Sequence, residues 1–139
     1  MTGEVSRDTM VLQEGKEDAD LSITSDLIRG HTDTIILAAL LEGDNYGYKI
    51  NRMIFEASLG RYELKEATLY TAFKRLETLK YISSYWGDED HGARRRYYKI
   101  TPLGRREYAK LLAEWHETRE LIDRLLCGKD ITNKESRSI

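Results

Sequence analysis

Between residues 27 and 127 the spacing of apolar positions changes repeatedly, and each change marks a new element. Leu27, Ile28, Ile35, Ile36, Leu37, Leu40 and Leu41 predict a helix that is apolar around much of its circumference. A helix of that kind sits between its own domain and something further. The polar turn EGDN ends it, with Gly43 free to take the positive φ that helices often use to stop. Ile50, Met53, Ile54 and Ala57 then recur at helical spacing, so a second helix is expected over 46–59, with Lys49, Arg52 and Glu56 outward and Gly60-Arg61 closing it. Residues 62–64 read as a brief extended piece, long enough to add one short strand to a later hairpin.

A third helix is expected over 65–80. Leu69, Ala72, Phe73 and Leu76 fall in one stripe, while Ala67, Thr71, Lys74 and Thr78 point the opposite way, flanked by Thr68, Tyr70 and Arg75. Two aromatic and β-branched runs follow, 81–86 and 94–100, separated by the turn-rich GDEDHGA, which predicts a hairpin with a long tip. Thr101-Pro102 supplies a capping residue and a proline at the first helical position. In the helix beyond, Tyr108, Leu112, Trp115, Arg119, Ile122 and Leu126 recur in steps of four and three, and Leu111, Leu121 and Leu125 widen the seam. Three helices, a hairpin and a long helix give an α+β class that is mainly α, in the order of a winged helix-turn-helix followed by a dimerisation helix. The expected organisation is an acidic extension without fixed structure over 1–26, the winged helix-turn-helix DNA-binding domain over 27–101, the dimerisation helix over 102–127 and a flexible tail over 128–139.

Size and composition fit that layout. A chain of 139 residues holds one domain with a modest core. A lone cysteine, Cys127, excludes an internal disulfide. The longest apolar run, 35–41, is far below the ~20 residues that span a bilayer. With no leader-like start, the expectation is a cytoplasmic protein without a membrane partner. Charge changes the picture more. Residues 1–26 carry seven acids against two basic groups, whereas 47–106 carry 13 basic against seven acidic, so the overall −2 conceals a basic region around the third helix and hairpin.

Those two elements carry the candidate chemistry. The outward face of the third helix is small, hydroxylated and basic, which suits close approach to a DNA groove. Its alternative is an ordinary amphipathic helix with incidental threonines. Arg94, Arg95 and Arg96 open the returning strand, and alternation sends at least one to each face, which suits phosphate contacts. The alternative there is an exposed charged hairpin balancing Asp88, Glu89 and Asp90. For the chain as a whole the rival is a winged-helix protein-interaction module, in which the arginine hairpin meets an acidic partner instead of DNA. Trp86 reads as strand packing. Catalysis is not expected: His31, His91 and His116 lie in separate elements, Cys127 stands at a helix end, and no glycine-rich phosphate loop occurs. No metal and no cofactor are expected.

LIRGHTDTIILAALLEGDNYGYKI, KEATLYTAFKRLETLKYISSYW and GARRRYYKITPLG occur in the right order to resemble the PadR family of transcriptional regulators, over roughly residues 27–126. DNYGYKINRMIFEAS and ISSYWGDED are especially similar to its short-form, subfamily 2, multidrug-resistance regulators. The resemblance implies a homodimer that represses an efflux pump or detoxification gene at a palindromic double-stranded operator until a small aromatic drug or phenolic ligand binds. It places Lys65, Thr68, Tyr70, Thr71 and Lys74 at the DNA. It also implies a central pore lined by Asp33, Thr34 and Leu37 of the first helix with Leu111, Trp115, His116 and Arg119 of the last, in which paired Trp115 rings sandwich flat ligands. Trp115 could instead fill the dimer seam, and Leu111 and Leu112 would narrow a pore.

Overall fold

The computed structural model describes residues 26–88 and 94–128. The acidic extension, the hairpin tip with His91, and the tail lie outside the described residues. A 3-10 turn, Arg29–His31, leads into α1 (Thr32–Leu40); then come β1 (Asn45–Tyr46), α2 (Gly47–Ala57), α3 (Glu66–Thr78), β2 (Ile82–Asp88), β3 (Arg94–Ile100) and α4 (Pro102–Cys127). The three strands form one antiparallel sheet in the order β1-β3-β2. Residues 26–28 are helical as well, so the first predicted helix is interrupted by the 3-10 turn instead of running straight through the apolar stretch. Gly30 lowers helix propensity, and the Thr32 hydroxyl donates to the Arg29 carbonyl at 2.9 Å, which favours a tight turn there. Leu27 is left exposed.

The core brings α1, α2 and α3 against the inner sheet face. Ile36, Leu37, Leu40, Ile50, Leu69, Phe73 and Leu76 are all essentially inaccessible. The stripe expected on the third helix is the one buried, and the Phe73 ring stacks on Tyr98 of β3 with centroids 3.9 Å apart. That stack ties α3 to the wing. Burial disfavours the ionised phenol and raises the Tyr98 pKa. On α2, Ile50 and Ile54 are buried as expected but Ala57 is exposed, because the helix stops there and Ser58 turns the chain.

The third strand differs from expectation. Residues 62–64 pair with no strand, because the Asn51 side chain takes both polar groups of Leu64: its Nδ2 donates to the Leu64 carbonyl at 2.7 Å, and the Leu64 amide donates to Oδ1 at 3.0 Å. Tyr62 and Leu64 are thereby held in the core. The strand position beside β3 is filled instead by Asn45 and Tyr46, opposite Tyr98 and Tyr97. The hairpin is longer than expected, since Gly87 and Asp88 continue β2 in register with Arg95 and Arg94.

Thr101 caps α4 as its sequence predicts, accepting from the Gly104 amide at 2.9 Å, with Pro102 beginning the helix. Gly104 permits that start. A Cβ there would run into the Tyr81 carbonyl oxygen and lie 2.9 Å from an Ile100 side-chain carbon. The first half of α4 packs on α1 through half-buried Tyr108, Leu111, Leu112 and Trp115. From His116 to Gly128 every residue is exposed. No helix among the described residues is long and apolar enough to cross a membrane.

Candidate nucleic-acid interface

Because the stripe through Leu69, Ala72, Phe73 and Leu76 goes inward, Thr68, Tyr70, Thr71, Lys74 and Arg75 must come to the surface of α3, and all five are exposed. Lys65 stands exposed at the N-cap in an extended conformation, and its carbonyl accepts from the Leu69 amide at 2.9 Å. Tyr70 has less freedom than Thr68 or Thr71. Its ring meets Phe73 edge-on at 5.5 Å, and its hydroxyl occupies the space a side chain on Gly47 would need. Tyr70 therefore lies across the junction of α2 and α3.

The wing arginines share one sheet but have different surroundings. Arg94 lies over the Trp86 ring at 5.2 Å and Arg95 over Tyr46 at 4.4 Å. Arg96 is drawn toward α3: its Nε donates to the Ser84 hydroxyl at 3.1 Å and its Nη2 approaches the Glu77 carboxylate at 3.5 Å. Ser84 in turn donates to Glu77 at 2.5 Å. The three guanidinia are thus braced by aromatic faces or by α3 while staying exposed.

Two grooves flank Tyr48 and Tyr70. One, of about 460 Å³, lies between α2 and the start of α3, with Asn51, Arg52, Phe55 and Lys65 along it. The other, of about 530 Å³, runs from Tyr48 and Tyr70 to Trp86 and the wing arginines. Tyr48 and Arg52 are members that the sequence reading did not select. The signal was present, since Tyr48 is an aromatic off the apolar stripe of α2 and is 68% exposed. Trp86, read as packing, is 54% exposed and serves as a platform for guanidinia.

The residues expected around a pore divide. Leu37 is 0% exposed and belongs to the core of its own chain, so it lines no surface of it. Asp33 is engaged by Arg75, whose Nη2 donates to its Oδ1, and that hydrogen bond raises the guanidinium pKa above its ordinary value. Thr34 and Leu111 are half-buried, and His116 and Arg119 are exposed on the uncovered part of α4. Trp115 is half-buried and meets His31 edge-on, with centroids 4.7 Å apart. Among the described residues no cluster of His, Cys, Asp or Glu is arranged to hold a metal ion.

Comparison with known proteins places this geometry. Residues 36–110 match the transcriptional regulator PadR-like family. An uncharacterized protein of Lysinibacillus sphaericus is 45% identical over 106 residues, covering 76% of this chain and 97% of its own. Among solved structures, a transcriptional regulator from Clostridium thermocellum is 49% identical, covering 72% of this chain and 97% of its own with a TM-score of 0.67. A PadR family transcription regulator from Clostridium difficile is 32% identical, covering 69% of this chain and 98% of its own with a TM-score of 0.62.

Proposed function

Since the chain belongs to the PadR-like family of transcriptional regulators, whose members are not enzymes, we propose that α3 reads a duplex operator while the wing holds its backbone. The observation that carries this reading is the shared exposure of Thr68, Thr71 and Lys74 on the helix whose Tyr70 lines a groove that reaches Arg94, Arg95 and Arg96. Hydroxyls and a lysine on a helix with small neighbours suit base edges, and guanidinia suit phosphates, which position without reading sequence. Lys65, Tyr48 and Arg52 border the groove between α2 and the start of α3 and extend the backbone contacts to the other side of Tyr70.

In this proposal two copies associate through the apolar second half of α4, so that two reading helices meet the half-sites of a palindromic operator. The regulator is a repressor of the short-form, multidrug-responsive kind, controlling an efflux or detoxification gene. Planar aromatic ligands relieve repression by stacking on Trp115 and its counterpart in the second copy, with Thr34, Leu111, His116 and Arg119 nearby. Burial of Leu37 removes it from that pocket.

The test of the DNA reading is enrichment of duplexes from a random pool, followed by binding of the enriched duplex to a Thr71→Ala, Lys74→Ala variant. Loss of about tenfold or more in affinity is expected, from one or two lost base or phosphate contacts. Unchanged binding would show that α3 does not read. For the ligand, planar aromatic drugs should quench tryptophan fluorescence of the native chain; quenching that persists in Trp115→Ala sinks the stacking model.

A further inference from the structure

Arg75 occupies a flank of the face just described, one turn beyond Thr71, yet its guanidinium is not presented to the surroundings like Lys74. It reaches across to Asp33, 42 positions earlier in the chain. Asp33 is the acidic residue of the first turn of α1, where the helix dipole already favours a carboxylate. The pair is partly exposed, with side chains 47% and 35% accessible. A pair in that setting adds little to global stability. What it supplies is direction. Packing of Leu69, Phe73 and Leu76 sets the main placement of α3 on the core, and Glu77 holds its C-terminal end to Ser84 and Arg96 of the wing. The Arg75–Asp33 pair adds a directional, charge-assisted restraint on the flank that faces α1.

The neighbours of Asp33 extend the connection. His31 meets Trp115 of α4 edge-on, and Thr32 is buried with its hydroxyl on the Arg29 carbonyl. Three consecutive residues therefore touch α4, their own turn and α3. Resting on the DNA reading proposed above, we infer that Asp33 and Arg75 are positioning residues for the reading face: their ion pair sets the pose of α3 on α1, and residues 31–33 join that pose to Trp115. Asp33 then serves as a strut instead of a ligand contact. A reading helix must be held within roughly 10–20° for its side chains to meet their targets.

The experiment uses the full chain and two duplexes, one enriched by the wild type from a random pool and one scrambled from it, titrated at a single salt concentration. Asp33→Asn and Arg75→Met should each lower affinity for the enriched duplex by about threefold to tenfold, leave the scrambled duplex unchanged and barely move the thermal midpoint. Reversal, Asp33→Arg with Arg75→Asp, should recover most of the loss. If the reversed chain does not fold, the double variant Asp33→Asn, Arg75→Met replaces it and should bind no worse than either single change. Additive losses in that cycle, or single variants that bind like the wild type, overturn the inference. So does an Arg75→Met chain that loses both duplexes equally while Asp33→Asn loses neither, because Arg75 would then be a direct phosphate contact. A wild type that enriches no duplex overturns the DNA reading itself; one that enriches a duplex its variants bind equally well overturns only the positioning role.

Discussion

α3 and α4 are both amphipathic helices, but they end in opposite situations. The apolar stripe of α3 is wholly covered by its own chain, and its exposed side carries threonines, a tyrosine and a lysine. The second half of α4 has no cover, and its exposed side carries Leu121, Ile122, Leu125 and Leu126. Where the apolar side is satisfied, the polar side is available for contacts with a charged partner. Where an apolar side is open, the partner it fits is another apolar surface. The difference separates an element suited to a charged partner from one suited to an apolar partner using burial alone.

That contrast can be tested from its strongest term downward. Leu76→Ala on the covered face of α3 should lower the unfolding free energy by about 3 kcal/mol in a denaturant titration, since it removes the γ and both δ carbons from a close-packed core. A loss below about 1 kcal/mol would mean that α3 is not anchored as described. Gly104→Ala addresses the start of α4, where the new methyl meets the Tyr81 carbonyl. It should cost about 2 kcal/mol by the same titration, because backbone must move to admit it.

The open half of α4 should respond differently. Leu125→Lys with Leu126→Lys should change unfolding of the single chain by no more than about 0.5 kcal/mol per site. In sedimentation, however, it should convert a concentration-dependent dimer to single chains; an unchanged mass would remove α4 as the assembling element. The smallest effect concerns the stack that ties α3 to the wing. Burial raises the Tyr98 pKa, so the folded chain keeps a proton that the unfolded chain releases. The associated stability is complete below pH about 10 and is lost as pH rises through the folded value. Tyr98→Phe should therefore show a shallower fall in urea midpoint between pH 9 and 11 than the wild type does.

Much of the fold could be read from local pattern. The buried stripe of α3 follows from 3.6-residue periodicity, and the Thr101-Pro102 start of α4 follows from capping chemistry, because both are decided by residues within one turn of each other. The candidate site was legible to the same extent. Thr68, Thr71 and Lys74 are exposed because their neighbours are buried. Tyr48 was legible as an aromatic off the apolar stripe of α2, but the platform role of Trp86 was not, since it depends on the wing arginines lying alongside.

The same division explains the corrections. Residues 62–64 are extended in sequence terms, and nothing local reveals that the Asn51 amide will satisfy Leu64 while Asn45 and Tyr46 take the strand position. Leu37 and Asp33 sit on one helix, and the family resemblance implied a pore role for both. Only packing sends the first into the core and ties the second to Arg75. The amino-acid sequence by itself determined the helices, the hairpin and the polar character of the exposed face of α3, because these arise from side-chain periodicity and turn chemistry. Tertiary structure decided which side chains meet across the chain, because hydrogen bonds and ion pairs between remote residues depend on distances that no local pattern contains.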